Sequence, residues 1–398
     1  MSLVDAFTHY EAGKNLFLTG PGGTGKSTLI RDMYRHAQAN EKSIQVCATT
    51  GCAAILLGCK AKTVHSWAGI GLGGEGALAK VKSNRYTKKR WIDTDILIID
   101  EVSMLSDTLF ELLDDIGQAV RGSKRPFGGI QLVFSGDFYQ LPPVDAKFCF
   151  ESTRWAAAFP TSVQLTTVYR QKDPVYCTIL DEIRHGRLSK ASYAALTAQV
   201  RTGGGVTKLV PTRIKADTIN STAYAELTTD EVVFRMTCTR GRHSSSVDHE
   251  LAFLKTHVRA DEILKLKVGA RVMCVVNLTD AICNGSQGVV TRFQSGVPVV
   301  KFACGEYVMQ TFVWESETLT GVTVSQVPLM YAWAITIHKA QGATLDEAEI
   351  DVGGDVFECG QTYVALSRLR SLSGLYLTSL DVTKIRLNKK VVDFYASL

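Results

Sequence analysis

The stretch from Asn15 to Thr28, NLFLTGPGGTGKST, constrains the fold of this 398-residue chain more than any other. A short apolar run with the composition of a buried strand leads into the spacing G-x-x-x-x-G-K-[ST], and a helical pattern begins at Lys26. Strand, glycine-rich loop and helix in this order are typical of a phosphate-binding loop. Glycine is needed because the backbone must pass close to a phosphate, and the helix that follows directs its positive dipole end at the same anion. The stretch therefore predicts nucleotide binding.

The residues of this loop divide into side-chain and backbone contributors. We expect Lys26 to reach the β- and γ-phosphates and the Ser27 hydroxyl to coordinate Mg²⁺. The other predicted nucleotide-binding positions are Gly20, Pro21, Gly22, Gly23, Thr24, Gly25 and Thr28.

Composition narrows the class of protein without identifying a partner. The chain is 45% apolar and 21% charged, as in ordinary globular proteins, and its net charge of +5 is too small to indicate nucleic acid by itself. Its ten cysteines form no C-x-x-C pair, which favours reduced core residues over a zinc site. Neither a signal peptide nor an apolar run of about 20 residues is evident. We therefore expect a protein without membrane association in a reducing compartment, namely cytoplasm, nucleoid or nucleus, of cellular or viral origin.

Strands alternate with helices over the first part of the chain, which predicts a parallel α/β sheet. Polar stretches follow four of these strands directly, at 20–27, 49–51, 100–101 and 135–140. Because the carboxyl ends of parallel strands meet at one edge of a sheet, we expect these stretches to form a common site.

The rest of the chain indicates a second α/β unit with an insertion. Residues 165–189 predict a strand, a loop carrying Arg170 and a helix ending near Gly186. From about 231 to 320 the α/β rhythm is replaced by strand-like runs separated by turn signals such as Asn284-Gly285, which predicts a small antiparallel β-barrel. The expected domains are 1–164, with a basic surface insertion at about 69–92, then 165–230 together with 321–398, and the inserted connector and barrel at 231–320.

Several side chains outside the loop suit nucleotide hydrolysis. Asp100 and Glu101 end an apolar strand, where one carboxylate holds Mg²⁺ and its neighbour polarises the attacking water. Gln140 follows the next strand and suits a sensor of the γ-phosphate. Arg170 and Arg368 are candidates for stabilising the charge that develops during phosphoryl transfer, although each alone is more often a surface arginine.

The ordered motifs resemble the Pif-type (petite integration frequency) DNA helicases of helicase superfamily one. The resemblance runs from about residue 12 to 380, and its residues are GPGGTGKS, ATTGCAA, TVHSWAGIGL, IIDEVSM, FSGDFYQLPPV, LTTVYRQKD with DEIRHG, LKVGARVM with NGSQGVV, AWAITIHKAQGATL and GQTYVALSRLRS. It implies an α/β fold of two RecA-like motor domains with parallel sheets and with the barrel inserted in the second. ATP would lie in the cleft between the motor domains and drive 5′→3′ movement on single-stranded DNA.

The resemblance also implies roles for particular residues. Lys26 and Ser27 would bind phosphate and Mg²⁺, Asp100 and Glu101 would act on metal and water, and Gln140 would sense the γ-phosphate. Arg170 and Arg368 would be two arginine fingers, and Gly342 would lie in a loop near both nucleotide and DNA. Single-stranded DNA, junctions of single and double strands and G-quadruplexes are the implied partners of a monomer, with roles in DNA replication, repair, recombination and telomere maintenance.

Single-strand binding needs cations for phosphates and aromatic faces for bases. The candidate DNA-binding residues all follow predicted strands: Thr49, Gly51, Thr63, His65, Ser66, Trp67, Phe138, Tyr139, Thr212, Arg213, Thr336, His338 and Lys339. For the aromatic residues among them, core packing is the competing interpretation.

One departure and three alternatives stay open. The family has an adenine-recognising glutamine shortly before the phosphate loop, whereas Leu3 stands at about that place here, so adenine selectivity is in doubt. A DNA-stimulated ATPase that remodels protein–DNA complexes or G-rich structures without processive unwinding would need the same motor residues. A regulatory switch or clamp-loader ATPase would leave HKAQG and Arg368 unexplained. RNA is a weaker candidate for the track.

Overall fold

The structure is a computed structural model that describes residues 3–71, 74, 76–201, 203, 205–241, 247–258, 260–276, 278–279, 281–282, 285–316, 319 and 321–398. It divides into two compact units, Met1–Gly203 with Ile337–Leu398 as unit one and Gly204–Thr336 as unit two. The three segments expected from the sequence do not coincide with these two units.

The first part of unit one alternates strands and helices as the sequence predicts. Its elements in chain order are α1 (Leu3–Glu11), β1 (Leu16–Thr19), α2 (Lys26–Ala39), β2 (Ile44–Ala48), α3 (Gly51–Leu57), β3 (Lys62–Thr63), α4 (Val64–Ala68), α5 (Ala77–Ser83), α6 (Arg85–Asp93), β4 (Ile96–Asp100), α7 (Asp107–Arg121), β5 (Gln131–Gly136), α8 (Trp155–Ala158), β6 (Thr161–Gln164), α9 (Pro174–Arg184) and α10 (Lys190–Thr197).

Six of these strands form one parallel sheet in the order β3-β2-β4-β5-β1-β6. The central strands are buried along their whole length because helices cover both faces, as parallel sheets require. Thr19 pairs with Gly136 and Gln164, and Ala48 pairs with Asp100, so the strands end at the same edge. This register confirms that the four polar stretches meet at one edge of the sheet.

Two local predictions in this part are wrong. The strand expected from residue 165 lies instead at Thr161–Gln164, where β6 joins the first sheet beside β1. The segment 69–92 is not a simple surface excursion, because its described part forms α5 and α6 and buries Trp91 completely. The Trp91 ring packs on Trp67 at a centroid distance of 4.4 Å, and its Nε1 donates to the Ala68 carbonyl at 3.1 Å. Lys80, Lys82, Arg85, Lys88 and Lys89 do face solvent.

Unit two is mostly antiparallel. Its elements are β7 (Lys208–Val210), α11 (Arg213–Ala225), β8 (Val232–Arg235), β9 (Thr237–Arg240), α12 (Val247–His257), β10 (Ile263–Leu266), β11 (Arg271–Cys274), β12 (Gln287–Gln294), β13 (Val297–Phe302), β14 (Gly305–Val308), β15 (Phe312–Glu315), β16 (Val322–Gln326), β17 (Leu329–Tyr331) and β18 (Ala334–Thr336).

The predicted closed barrel is not seen among the described strands. They form a five-stranded sheet, β14-β13-β12-β11-β17, a three-stranded sheet, β15-β16-β9, and the pair β10-β8. β16 and β17 pair antiparallel with β9 and β11, so the antiparallel region continues to Tyr331, beyond the boundary expected at 320. The turn predicted at Asn284-Gly285 includes Asn284, which lies outside the described residues.

The chain then returns to unit one through α13 (Ile337–Ala340), β19 (Ala348–Val352), α14 (Gln361–Leu366), β20 (Leu375–Leu380) and α15 (Lys389–Ala396). β19 and β20 pair in parallel, which confirms that the α/β rhythm resumes here. From α15, Phe394 stacks on Phe150 at 4.3 Å, and the Tyr395 hydroxyl lies 2.6 Å from Thr19 Oγ1. The last helix therefore packs beside the strand that leads into the phosphate loop.

Within the described ranges, no helix has the combination of length and apolar content that crossing a membrane would require.

Candidate nucleotide-binding site

Loop 20–25 follows the path of a phosphate cradle. A β-carbon at Gly20 would lie 2.3 Å from the Leu165 carbonyl oxygen, and one at Gly23 would lie 2.6 Å from Arg170 Cβ. Gly25, with φ +89°, immediately precedes α2. At Gly20 and Gly23 the neighbouring chain leaves no room for a side chain, and at Gly25 the backbone turns through the left-handed region that favours glycine.

Lys26 is held over the loop by its own backbone. Its Nζ donates to the carbonyl oxygens of Gly20 at 2.6 Å and Pro21 at 2.9 Å. Burial lowers the pKa of Lys26, and the negative charges of Asp137, Glu101 and Asp100 act in the opposite direction. The ammonium is therefore fixed where an anion bound in the cradle would complete its coordination.

The two carboxylates at the end of β4 differ in environment. Burial, followed by the charge of Glu101, raises the pKa of Asp100 to about 6. Glu101 adopts a left-handed conformation, φ 56°, which is uncommon for a residue with a side chain. Thr49 Oγ1 donates to the Glu101 carbonyl at 3.0 Å, and Gln341 Nε2 donates to Glu101 Oε2 at 3.1 Å. These contacts hold the strained residue in place and orient its carboxylate.

Arg170 and Arg368 converge on the phosphate loop. Arg170 Nη1 and Arg368 Nη2 each lie 3.8 Å from the point where a Gly22 β-carbon would be. Arg368 is 2% exposed, and burial together with the charge of Arg170 lowers its pKa to about 10. Two desolvated guanidinium groups at one glycine create a strong local preference for an anion.

The segment that carries Arg170 also fixes the end of α14 next to Arg368. Gln171 Nε2 donates to the Leu369 carbonyl at 2.8 Å, and the Tyr176 hydroxyl donates to the Leu366 carbonyl at 2.7 Å. Arg368 Nε in turn donates to the Val364 carbonyl at 2.8 Å. The two arginines are thus positioned by one connected set of hydrogen bonds.

These side chains surround one cavity of about 290 Å³ in unit one. Its lining includes every predicted catalytic residue and most of the predicted nucleotide-binding residues: Gly22, Gly23, Thr24, Gly25, Lys26, Ser27, Thr28, Asp100, Glu101, Gln140, Arg170, Gly342 and Arg368. Gly20 and Pro21 contribute carbonyls to Lys26 instead. Gln140 is buried, and its Oε1 has no hydrogen-bond partner among the described residues, as suits a group that contacts a ligand.

Two aromatic candidates for DNA bases, Trp67 and Phe138, are not available for stacking, so that prediction is corrected for them. Trp67 is 0% exposed and Phe138 is 1% exposed, because both rings fill the core of the first α/β layer. Tyr139 is half-buried, with Tyr395 stacked on its ring at 4.8 Å and the Arg184 guanidinium 4.4 Å from its centroid. Core packing, the competing interpretation, is correct for Trp67 and Phe138, whereas Tyr139 packs against that core only in part.

Several polar residues predicted to bind DNA already form hydrogen bonds or ion pairs at the ends of helices and strands. Thr63 Oγ1 accepts from Ser66 N at 3.3 Å, and Thr212 Oγ1 accepts from Lys215 N at 3.4 Å. Arg213 is exposed and pairs with Asp217. The placement of the others is mixed: His65, Ser66, Gly51 and His338 are half-buried, Thr336 is buried and Lys339 is exposed.

His338 has an exposed aromatic neighbour that the sequence did not indicate. Its ring stacks on Phe357 at 5.8 Å, and Phe357 is 55% exposed. Burial lowers the pKa of His338, and the charge of Glu358 opposes that shift.

Three further contributors to the site were missed by sequence reasoning. Tyr169 lines the cavity, Gln341 contacts Glu101, and the Tyr363 hydroxyl accepts a hydrogen bond from Gly22 N at 3.0 Å. Gln341 and Tyr363 lie within quoted motifs, beside Gly342 and five residues before Arg368, and that proximity was the available signal.

Comparison with known proteins agrees with this geometry. The profile of the PIF1-like helicase family matches residues 2–195, and that of the DNA helicase Pif1 2B domain matches residues 251–293. The chain is 34% identical to the ATP-dependent DNA helicase PIF1 of Emericella nidulans over 98% of this chain and 61% of that protein. With the Homo sapiens protein of the same name the identity is 37%, over 97% of this chain and 62% of that protein. The chain therefore spans about three fifths of the length of these relatives.

A solved structure covers the whole fold. The crystal structure of Pif1 helicase from Candida albicans superposes with a TM-score of 0.86 at 33% identity, covering 99% of this chain and 98% of that one. A Bacteroides Pif1 helicase crystallised with ADP-AlF3 and ssDNA gives a TM-score of 0.75 at 27% identity, covering 99% and 96%. With a relative above 30% identity matched over almost its whole length, the chain belongs to the PIF1-like helicase family.

Proposed function

We propose that this chain is the motor of an ATP-dependent 5′→3′ DNA helicase that moves on single-stranded DNA and unwinds duplex or structured DNA. The observation that carries the proposal is the convergence of Arg170 and Arg368 on Gly22, in the cavity that also holds Lys26, Asp100 and Glu101. A nucleotide-binding protein without hydrolysis has no need of two arginines, one buried and one half-buried, at its phosphate loop. Charge-stabilising arginines of this kind accelerate phosphoryl transfer.

Each side chain then has a task in hydrolysis. The loop N–H groups and Lys26 bind the phosphates, Glu101 orients and polarises the attacking water, and Gln140 contacts the γ-phosphate. Arg170 and Arg368 stabilise charge on the transferring group. Both arginines also donate hydrogen bonds to backbone carbonyls at the end of α14. Loss of the γ-phosphate would therefore alter the contacts that position this helix.

Mg²⁺ fits the donor set at this site. The Ser27 hydroxyl and the Asp100 carboxylate are the hard oxygen ligands that this ion prefers. When bound, the ion would neutralise charge on the β- and γ-phosphates. Burial and the charge of Glu101 raise the pKa of Asp100 to about 6, and a cation bound beside it would favour the charged carboxylate.

Single-stranded DNA and junctions of single and double strands are the proposed partners. Support comes from relatives: a Bacteroides Pif1 structure contains ssDNA, and another structure concerns unwinding of forked dsDNA by two coordinating Pif1 helicases. The lysines of α5 and α6 that face solvent give the surface of these two helices the positive charge that contacts with DNA phosphates need. G-quadruplex DNA is a further proposed substrate.

An unwinding assay tests the proposal. Duplexes with a 5′ or a 3′ single-stranded tail are incubated with ATP and Mg²⁺, and we expect strand separation only with the 5′ tail. Lys26→Ala is the matched control and should bind single-stranded DNA without unwinding. ATP hydrolysis without unwinding of either duplex would contradict the helicase assignment and support the remodelling ATPase instead.

A further inference from the structure

The two ends of the phosphate loop have different neighbours, and this difference gives the bound nucleotide a direction. At Gly22 the nearest side chains are the charged groups of Arg170 and Arg368. At Gly25 they are apolar: a β-carbon there would lie 3.6 Å from Leu3 Cδ1 and 3.7 Å from Tyr169 Cδ2. The γ-phosphate belongs at the arginine end, so the nucleoside extends past Gly25.

We propose that the nucleobase is held by an apolar clamp formed by Leu3 and Tyr169, so that the site binds GTP about as well as ATP. This inference rests on the nucleotide hydrolysis proposed above and extends it to the range of substrates. It also gives a function to Tyr169, which lines the cavity without a part in phosphate binding.

Both members of the clamp are held in place by the fold. Tyr169 N donates to the Gly23 carbonyl at 2.8 Å, which ties the tyrosine backbone to the loop, while its side chain is 58% exposed. Leu3 begins α1, whose Ala6 and Tyr10 are buried in the core, and its own side chain packs partly against that core. The partly buried Leu3 side chain and the accessible Tyr169 ring therefore both lie beside Gly25.

The chemistry of this end does not distinguish one base from another. An amide side chain can read adenine by pairing with N6 and N7, but Gln140 is the only amide among the described residues that line the cavity. Gln140 follows β5, on the side of the sheet edge where Asp100 and Glu101 lie. Thr28 and Tyr169, which also line the cavity, carry hydroxyls, and a hydroxyl can both donate and accept. Stacking on an aromatic ring accepts any base.

Equilibrium binding of fluorescent ATP and GTP analogues, labelled on the ribose, tests the clamp without hydrolysis. We expect the two dissociation constants to agree within about tenfold, because an apolar pocket discriminates weakly between ligands of similar shape. Tyr169→Ala should weaken both nucleotides by the same factor, about 5- to 150-fold, through loss of stacking. Tyr193→Ala, which removes an exposed tyrosine from α10, is the matched control and should leave both constants unchanged.

Leu3→Gln tests the clamp by introducing selectivity for adenine instead of weakening nucleotide binding. A glutamine at this position supplies the amide that adenine recognition needs, so we expect the ratio of ATP to GTP affinity to rise. A preference of wild type for ATP beyond about tenfold, a Tyr169→Ala effect confined to one nucleotide, or an unchanged ratio in Leu3→Gln would overturn the clamp. None of these results bears on unwinding, and a chain that failed to unwind DNA would still give an interpretable ratio.

Discussion

Arg368 is a guanidinium group that the fold keeps almost entirely out of water. Its neighbours are hydrogen-bond acceptors from α14 and the positive charge of Arg170, and burial lowers its pKa to about 10. Because the surroundings disfavour the positive charge of Arg368, an anion that enters the site stabilises that charge and is bound favourably. Function, more than stability, accounts for this arginine.

Replacement of Arg368 by alanine should therefore reduce kcat by about a thousandfold, because the developing charge loses a donor, while ATP still binds. Steady-state hydrolysis and equilibrium nucleotide binding measure the two effects separately. Arg35→Ala, which removes an exposed arginine from α2, is the control and should hydrolyse ATP normally. A kcat close to wild type in Arg368→Ala would remove this residue from the site.

Among individual residues, the sequence predicted those site members that directly follow a strand. Lys26, Asp100, Glu101 and Gln140 stand at the common edge because strand ends in a parallel sheet coincide. Tyr169 and Tyr363 could not be predicted in the same way. Both lie in quoted motifs near a predicted arginine, but their contacts with the loop depend on how distant segments pack, and local sequence does not encode that packing.

At the scale of elements, α9 and β5 are joined by a buried ion pair. Arg184 donates to both carboxylate oxygens of Asp137, at 2.9 Å from Nε and 2.8 Å from Nη2. Burial disfavours the charge on Arg184, but Asp137 more than offsets it, so that the pKa of Arg184 is raised. The pair fixes the helix to the loop that carries Gln140.

Arg184→Met should lower the free energy of unfolding by about 3–5 kcal/mol, because it removes the ion-pair partner of the buried Asp137 side chain. Urea denaturation measures the loss. Arg187→Met provides the matched control, since Arg187 is an exposed partner of Asp181 at 3.7 Å and should contribute less than about 1 kcal/mol. Equal losses in the two variants would show that the buried pair has no special structural role.

Elements with strong local patterns were predicted, and those decided by long-range packing were not. α2 begins at Lys26, where the helical pattern was predicted to begin, and α9 ends at Arg184, close to the end predicted near Gly186. The strand expected at 165 is displaced to 161–164, because pairing with β1 at that position is decided by the sheet and not by local composition. Trp67 was predicted as a DNA-binding candidate with core packing as the alternative, and Trp91 lay in the segment expected at the surface. The two rings pack on each other in the core of the first α/β layer.

For the whole molecule, the parallel α/β class followed from the alternation of elements, and the antiparallel character of the insertion followed from its turn signals. The prediction that these strands close into a barrel was not confirmed. Closure depends on strand tilt and shear, which composition does not encode. The family assignment joins these parts, but the chain spans about three fifths of its curated relatives, with 61% of the Emericella nidulans protein matched. Activity therefore has to be measured on this chain itself.

The central claim is that the site around Lys26 is a motor coupled to DNA. The rate of ATP hydrolysis, measured with and without single-stranded DNA in excess Mg²⁺, tests it most directly, with Lys26→Ala as the inactive control. We predict that hydrolysis is slow without DNA and rises clearly when single-stranded DNA is added. An equal rate in both conditions would contradict the account.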